Sequence, residues 1–256
     1  MKKAIALIGA GEVGGVFARG LLKEGYPVFP IIRGMNIKDS LNQVSDAEAV
    51  IVGVGEKDLD SVLTEIPKEF SDRLILIQNE LLPNSWERFG IDNPTVISVW
   101  FEKKPGQDYK VLIPSPIFGS KSELVCRALE KINISVKRVS SSEDLLKELV
   151  LKNLYILTTN ICGLEVGGTV SELWSQHEEF AREVAADVLD LQFHLIGCEL
   201  DREELLQGMV LAFEGDPDHK CMGRSAPARL ERALRQAEEA GLSVKKLHEI
   251  NEKKSA

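Results

Sequence analysis

The stretch Ala4-Ile5-Ala6-Leu7-Ile8-Gly9-Ala10-Gly11-Glu12-Val13-Gly14 joins an apolar run to the glycine pattern G-x-G-x-x-G, and apolar residues at helical spacing follow it. A buried strand, this pattern and then a helix form the dinucleotide-binding fingerprint. The first glycine allows a tight turn, the second lets the backbone approach a pyrophosphate, and the third lets the helix pack on the strand. The helix N-terminus adds free N–H groups and a positive dipole end. We therefore expect residues 9–14 to bind a dinucleotide; the alternative is a glycine-rich turn without a ligand.

The first half of the chain alternates between strand and helix patterns. Apolar runs at residues 28–32, 50–54, 74–77 and 96–99 predict strands, and helical patterns such as residues 58–66 lie between them. Short strands at 111–113 and 117–119, a helix at 123–131 and a strand at 134–139 are predicted to complete this part. The alternation predicts βα units and a mostly parallel sheet.

The second half carries helical patterns only. The run Ser140-Ser141-Ser142-Glu143 marks a boundary, at which Ser141 is placed to cap a helix with Asp144 in its first turn. Helices are predicted over residues 145–164, 171–196, 202–213 and 226–241, with Gly241 as a stop. The polar residues 251–256 are predicted to fray. The predicted fold class is α/β, with a Rossmann-type dinucleotide-binding domain at residues 1–140 and an all-helical domain at residues 141–256.

Composition narrows the class of protein. The 256 residues are 44% hydrophobic, enough for a substantial core, and the net charge of −9 argues against a nucleic-acid or anionic-membrane partner. The four cysteines are widely spaced, which favours reduced thiols over a disulfide framework or a zinc ribbon. There is no basic leader with a long apolar segment and no run of about twenty apolar residues. We therefore expect a cytoplasmic protein that does not enter a membrane.

The end of the second predicted strand carries an arginine, in Ile31-Ile32-Arg33. An acidic residue there suits the ribose 2′-hydroxyl of NAD, whereas arginine suits the 2′-phosphate of NADP. Asp39 comes several residues too late to replace that acid, and Lys57 is more simply a charged residue at a helix start. We expect NADP(H) as the cofactor; the alternative is that Arg33 is an ordinary exposed charge.

The order of these parts resembles the 2-dehydropantoate 2-reductases (ketopantoate reductases). The resemblance rests on the glycine pattern, Arg33, an apolar strand running into Gln78-Asn79, and a helical domain opening with Glu148-Leu149-Val150-Leu151-Lys152-Asn153-Leu154. It implies a Rossmann domain followed by a helical domain, with the active site in the cleft between them. It also implies NADPH-dependent reduction of 2-dehydropantoate to pantoate in pantothenate biosynthesis.

The resemblance also implies roles for individual residues. Lys152 matches the catalytic lysine, Asn79 matches an asparagine at a strand end, and Asn160 matches an asparagine eight residues beyond the lysine. Three positions depart from the pattern. Glu80 stands where glycine is usual after the first asparagine, and Ile156 stands where a second asparagine is usual. A glutamate near the start of a late helix has no counterpart, and Ser225 falls at its place. A divergent member, or a relative with another carbonyl substrate, fits this pattern.

Ketone reduction needs a donor that stabilises and protonates the developing alkoxide. An ammonium group at Lys152 suits this role, and partial burial would lower its pKa toward neutrality. The alternative is an exposed helix pair, because Glu148 precedes Lys152 by four residues.

Three further positions are candidates for the substrate. Asn79, at the carboxyl end of a strand, is placed to contact both cofactor and substrate, or is only a turn residue. Asn160 shares a broad helix face with Lys152, or is a buried neighbour of two threonines. Arg224 and Ser225 precede the helix at 226–241, which Ser225 is placed to cap. They offer a site for the substrate carboxylate, or belong to a solvated linker with a capping serine.

No metal site is expected. Asp216, Asp218, His219 and Cys221 crowd into six residues without a second cluster of ligands.

Three functions remain open from the sequence. The first is an NADPH-dependent reductase of a small 2-oxo acid, most simply 2-dehydropantoate. The second is an imine reductase of the pyrroline-carboxylate type, which would not need Lys152 as an acid. The third is a dinucleotide-binding sensor without catalysis, which the missing glutamate and Ile156 motivate. The apolar content of the helical domain is compatible with a homodimer.

Overall fold

The computed structural model describes the backbone of residues 2–255. The chain forms two compact units, one reaching through Glu148 and the other starting at Leu149. Within residues 2–255, no helix is both long and apolar enough to cross a bilayer.

The first unit is built on a seven-stranded sheet. Its strands, in the spatial order β2-β1-β3-β4-β5-β8-β9, are β1 Ile5–Ile8, β2 Val28–Ile31, β3 Ala49–Val52, β4 Leu74–Leu76, β5 Thr95–Ile97, β8 Ser115–Phe118 and β9 Val136–Arg138. The first five strands run parallel, β8 runs antiparallel to β5, and β9 runs parallel to β8. Two short strands, β6 Phe101–Glu102 and β7 Lys110–Val111, form a separate antiparallel hairpin. The α/β class expected from the alternating pattern is therefore confirmed.

Helices follow most strands of this sheet. They are α1 Glu12–Lys23, α2 Ile37–Asn42, α3 Leu59–Glu65, α4 Asn84–Glu87 and α5 Ser122–Glu130, with 3₁₀ turns at Glu56–Asp58 and Lys68–Arg73. All four residues of β1 are buried, as expected for a parallel strand covered on both faces. Helix α1 packs closely on α5. A Cβ on Gly20 would lie only 2.4 Å from the carbonyl oxygen of Ala128, so the contact requires glycine.

The rest of the chain is helical. The helices are α6 Ser142–Glu165, α7 Val170–Gln176, α8 Glu178–Ile196, α9 Arg202–Gly215, α10 Ala226–Ala240 and α11 Lys245–Ser255. The Ser141 hydroxyl accepts the Asp144 N–H at 3.1 Å, so the predicted cap of α6 is present. Gly241 ends α10 in the left-handed conformation, with φ of 66°, as its position predicts.

Three sequence predictions of secondary structure were wrong. The helix predicted over residues 171–196 is two helices, broken at His177, where two glutamates supply the acidic first turn that favours a new helix start. Of the strand predicted at 111–113, only Val111 lies in a strand, as the second residue of β7. The predicted fraying at 251–256 is replaced by helix through Ser255, whereas Ala256 lies outside the described residues. Helix α11 is held because Asp187 accepts the N–H groups of Lys246 and Leu247 at 2.7 and 3.1 Å.

Candidate functional site

The glycine loop between β1 and α1 has the close contacts that its sequence predicts. Gly9 has φ of +90°, and a Cβ on it would lie 2.9 Å from the backbone of Gly53. A Cβ on Gly14 would lie 2.2 Å from the Gly9 carbonyl oxygen. At Gly11, by contrast, no atom beyond the adjoining residues of the described chain lies within 4 Å of the added Cβ. The first and third glycines are thus required by packing, and the second leaves open space.

This open space lies at the N-terminus of a 12-residue helix. Gly11 is the N-cap residue and has no side chain with which to accept the first N–H groups of α1. Ala10, Gly11 and Glu12 are exposed and line a cleft of about 290 Å³, whereas Val13 packs toward the core of this unit. Exposed N–H groups at a helix start form a binding site for phosphate, so the residues present fit the pyrophosphate of a dinucleotide.

A lysine that the sequence did not single out lies beside this loop. The Lys103 ammonium group donates to the Glu12 carboxylate at 2.8 Å, and its side chain is only 20% exposed. Lys103 follows β6 and is 91 residues from Glu12, so no local pattern links them. This pair places a positive charge beside the carboxylate that would otherwise face the phosphates.

Arg33 lies in the turn that follows β2. Its side chain is exposed, and the turn closes at Gly34, which has φ of +92°. Lys57 is also exposed, in the 3₁₀ turn after β3. Neither position is fixed by packing, so both side chains are available to a ligand from solvent.

Residues 78–80 follow β4 at the carboxyl end of the sheet. The buried Gln78 amide donates to the carbonyl oxygens of Val52 at 2.6 Å and Val54 at 3.2 Å, which ties β4 to the end of β3. The Asn79 amide is half-buried and donates to the Glu56 carboxylate at 3.1 Å. Glu80 has φ of 58°, a conformation in which non-glycine residues are uncommon. The backbone at Glu80 thus has the shape that a glycine would adopt without strain.

Lys152 lies on α6 and is buried, with 8% of its surface exposed. Burial, as the larger cause, and the nearby positive charge of Arg229 together lower the pKa of Lys152 from 10.5 to about 7. Its ammonium nitrogen lies 5.6 Å from the centre of the Tyr155 ring. The alternative of an exposed pair with Glu148 is therefore wrong; Glu148 accepts a hydrogen bond from Lys137 at 2.8 Å.

Asn160 is likewise buried on α6, with 8% of its surface exposed. Its Oδ1 atom accepts a hydrogen bond from the Arg229 guanidinium at 2.9 Å. Its Nδ2 atom lies 3.5 Å from the Thr159 hydroxyl, which itself donates to the Tyr155 carbonyl oxygen. Lys152, Asn160 and Arg229, which we call the α6–α10 cluster, thus combine two cations and one amide in the helical unit.

Arg229 is not among the residues expected from the sequence, whose candidates in this region are Arg224 and Ser225. Both of these residues are exposed. Ser225 does occupy the N-cap position of α10, but its side chain makes no capping hydrogen bond within the described chain, so that prediction was wrong. Ser225 has φ of −89° and ψ of −2° rather than the extended backbone that directs a cap oxygen at the helix N–H groups. The signal for Arg229 in the sequence was its place in the first turn of a helix that follows a glycine-containing loop.

Ile156, which stands where the resemblance would place an asparagine, is accommodated by apolar packing. Ile156 is buried in the apolar interior of the helical unit, with 6% of its surface exposed. The neighbouring polar residue on α6 is Asn153, whose buried amide donates to Gln192 at 2.8 Å. Asn153 therefore links α6 to α8.

Comparison with known proteins identifies the fold. No protein-family profile matches the chain, and no curated protein matches it in sequence. Solved structures do match over nearly the whole length. The 2-dehydropantoate 2-reductase of Methylococcus capsulatus matches with a TM-score of 0.69 at 12% identity, over 96% of this chain and 94% of that one.

Two further structures extend this result. A dimeric ketopantoate reductase from Staphylococcus aureus matches with a TM-score of 0.64 at 19% identity, over 98% of this chain and 97% of that one. A D-mandelate dehydrogenase, solved with NADH and anilino(oxo)acetate, matches with a TM-score of 0.65 at 14% identity, over 98% and 96% of the two chains. The resemblance to ketopantoate reductases is therefore confirmed at the level of the fold.

Proposed function

We propose that this protein is an NADPH-dependent oxidoreductase that reduces a small 2-oxo acid to the 2-hydroxy acid. The observation that carries the proposal is the buried Lys152, whose pKa is lowered to about 7. An acid with a pKa near the working pH combines a large protonated fraction with easy proton release. Burying a lysine costs folding free energy, and strongly shifted pKa values of this kind are concentrated at functional sites.

In this proposal, residues 1–140 bind the cofactor and residues 141–256 supply the acid. Bound NADPH would supply a hydride to the carbonyl carbon. The Lys152 ammonium stabilises the developing negative charge on the carbonyl oxygen and then donates a proton to that oxygen. Asn79 and Asn160 orient the substrate through their amide groups. The overall change consumes one hydride and one proton for each 2-oxo acid reduced.

The choice of NADPH over NADH rests on Arg33. The glycine loop fits either cofactor, because it contacts the pyrophosphate that both share. An exposed guanidinium directly after β2 suits a 2′-phosphate, which it can bind through two parallel hydrogen bonds. The D-mandelate dehydrogenase of the same fold was solved with NADH, so the fold itself does not decide the preference.

We further propose 2-dehydropantoate as the first substrate to test, which would place the enzyme in pantothenate biosynthesis. The similarity to two ketopantoate reductases in fold supports this choice. A homodimer and a cytoplasmic location are part of the same proposal; the dimeric relative from Staphylococcus aureus supports the first.

An NADPH oxidation assay tests the proposal. Purified protein is supplied with 2-dehydropantoate, other branched 2-oxo acids and the cyclic imine 1-pyrroline-5-carboxylate, and the Lys152→Met variant is run in parallel. We expect turnover of a 2-oxo acid that falls by about 100-fold or more in the variant, while its NADPH affinity is retained. Turnover of the imine alone, unaffected by the substitution, would favour an imine reductase. Tight NADPH binding without turnover of any compound would favour a sensor.

A further inference from the structure

The cleft beside the glycine loop is lined by two separate parts of the chain. One wall is the start of α1, with Gly11, Glu12 and Gly15, and the other is the hairpin of β6 and β7, from which Lys103 reaches the cleft. The cleft has a volume of about 290 Å³, and all of its lining residues belong to the first unit. The glycine fingerprint therefore supplies only one side of this cleft, and the hairpin supplies the other.

The position of Lys103 is fixed by the packing of the hairpin on α1. Phe101, the first residue of β6, is buried, and its ring centre lies 6.0 Å from that of Phe17 on α1. Tyr109, just before β7, contacts the same Phe101 ring at 6.4 Å between centres. Side chains two residues apart along an extended strand share a face, which brings Lys103 to the side of α1. Its ammonium group donates to the Glu12 carboxylate at 2.8 Å.

Glu12 adds a negative charge to the cleft. It is the first residue of α1, and a carboxylate at this place interacts favourably with the positive end of the helix dipole. The same charge opposes the approach of a pyrophosphate, which carries two negative charges of its own. The ammonium group of Lys103 offsets the Glu12 charge and adds a hydrogen-bond donor to the cleft. The pair thus makes the start of α1 compatible with an anionic ligand.

The ammonium group of Lys103 is held at two points. Of its three N–H donors, one is used by the Glu12 carboxylate and one by the Lys104 carbonyl oxygen, each at 2.8 Å. These bonds leave the third donor for a ligand in the cleft, and 20% of the Lys103 side chain is exposed. An ion pair this accessible contributes little to stability. A lysine held in this way is suited to bind a phosphate oxygen as a point charge.

We infer that Lys103 binds the pyrophosphate of the dinucleotide, that Glu12 holds it in position, and that the hairpin of β6 and β7 is part of the cofactor site. The inference rests on the proposed function, to which it adds a binding residue outside the glycine fingerprint. Because NADPH and NADH share the pyrophosphate, Lys103 serves both cofactors, whereas Arg33 is proposed to serve NADPH alone.

Fluorescence titration of NADPH and of NADH tests the inference without any turnover. The proteins are the wild type, Lys103→Gln, Lys104→Gln and Arg19→Gln. Lys104 is the matched control, because it is the next residue, its side chain is 56% exposed, and it pairs with Glu102 and does not line the cleft. Arg19 lines the far end of the cleft and pairs with Asp108 at 3.4 Å. Thermal unfolding of each variant without cofactor checks that it folds.

We expect Lys103→Gln to raise the Kd for both cofactors by roughly 10- to 100-fold, the loss expected for a hydrogen bond between charged groups. Lys104→Gln and Arg19→Gln should stay within about threefold of wild type, the range of exposed ion pairs. A loss confined to NADPH would overturn the inference, since only the 2′-phosphate distinguishes the two cofactors. A larger loss in Arg19→Gln than in Lys103→Gln would also overturn it.

A second pair of variants separates direct contact from the cancellation of charge. Lys103→Gln is made in a Glu12→Gln background, in which there is no carboxylate to neutralise. The Kd for both cofactors should still rise by about fivefold or more when Lys103 is replaced there, because its contact with the pyrophosphate is lost. No change in this background would mean that Lys103 acts only by offsetting Glu12, and would reject the inference.

The titrations also separate this inference from the proposed function. If the wild type binds NADPH but reduces no 2-oxo acid, the proposed reductase activity fails, and the titrations still test Lys103. If a 2-oxo acid is reduced and Lys103→Gln binds both cofactors as the wild type does, only the inference fails. If the wild type binds neither cofactor, both are rejected.

Discussion

Gly14 lies so close to Gly9 that a Cβ on Gly14 would be 2.2 Å from the Gly9 carbonyl oxygen. The obstructing atom belongs to the backbone of the loop between β1 and α1, so no side-chain rotation can relieve the contact. We expect Gly14→Ala to lower the free energy of unfolding by about 1–3 kcal/mol, the usual cost of overpacking. Urea denaturation followed by circular dichroism measures this change.

The next residue supplies the control. At Gly15, no atom of the described chain outside the adjoining turns of α1 lies within 4 Å of an added Cβ, and the residue is on the exposed side of the same helix. Gly15→Ala should raise the free energy of unfolding by up to about 1 kcal/mol, because alanine favours helix over glycine. If both substitutions stabilise the protein, α1 does not pack on the loop as closely as the Gly14 contact indicates.

These two glycines illustrate which parts of the fold can be predicted from sequence. The strand β1, the loop and α1 are contiguous, so their spacing alone predicts the turn, the open position at Gly11 and the close contact at Gly14. The same holds for the Ser141 cap and the Gly241 stop, whose partners lie within a few residues. Local chemistry determines each of these features.

Other features depend on contacts between distant residues. The bond from Arg229 to Asn160 spans 69 residues, and the pair of Lys103 with Glu12 spans 91. Helix α11 begins where Asp187, some 60 residues earlier, accepts two of its N–H groups. No periodicity or short motif encodes such pairs. The sequence consequently pointed to Arg224, next to a recognisable helix start, and gave no sign of the Arg229–Asn160 bond or of the contacts that hold the C-terminal helix.

Arg33 should control the choice between the two nicotinamide cofactors. We expect Arg33→Gln to raise the Kd for NADPH by roughly 10- to 100-fold, because charge-assisted bonds to the 2′-phosphate are lost. The Kd for NADH, which has no such phosphate, should change by less than about threefold. Fluorescence titration of both cofactors measures these values. Lys57→Gln, which removes another exposed cation of the same unit, should leave both values unchanged.

Equal weakening of both cofactors in Arg33→Gln would contradict this role, since it would indicate damage to the turn after β2. If Lys57→Gln raises the Kd for NADPH more than Arg33→Gln does, the phosphate contact is made by Lys57 in the 3₁₀ turn after β3.

The pH dependence of reduction should report the pKa of Lys152. The group must be protonated to act as an acid, and its pKa is lowered from 10.5 to about 7, first by burial and then by Arg229. We expect kcat/KM for the 2-oxo acid to fall about tenfold per pH unit above this value. In Arg229→Gln the decline should move to higher pH, but only in part, because burial is the larger cause.

The variant Lys152→Arg provides the contrast, since a guanidinium stays charged throughout this range. Its activity should be low and should not decline near neutral pH. A wild-type profile that stays level up to pH 9 would remove Lys152 from the proton-transfer step.

The same pKa shift predicts how stability depends on pH. Below pH 7, Lys152 is protonated in both the folded and the unfolded chain, and the full cost of burying the charge is present. Between about pH 7 and 10.5, the unfolded chain holds the proton and the folded protein does not, so stability rises with pH. Lys152→Met should therefore be several kcal/mol more stable than wild type at pH 6, at about 1.4 kcal/mol per pKa unit.

This advantage of Lys152→Met should shrink as the pH rises from 7 to 10, as measured by urea denaturation at several pH values. An exposed lysine gives the control: Lys38→Met should differ from wild type by a small amount that does not change with pH. A constant difference for Lys152→Met would mean that Lys152 keeps its proton in the folded protein.

At position 80, glycine should give a more stable protein than alanine, although alanine is the more stabilising of the two in most helices and strands. Its φ of 58° places the residue in the left-handed region, which costs an L-residue with a Cβ about 1–2 kcal/mol. Comparing Glu80→Gly with Glu80→Ala isolates this cost, because both variants lose the same carboxylate. We expect Glu80→Gly to be more stable than Glu80→Ala by roughly 1 kcal/mol, measured by urea denaturation.

Asn133, with φ of 59°, is the control: Asn133→Gly should be close to wild type in stability, because asparagine tolerates this region. Equal stability of the two Glu80 variants would show that the turn after β4 relaxes to negative φ once the side chain is removed.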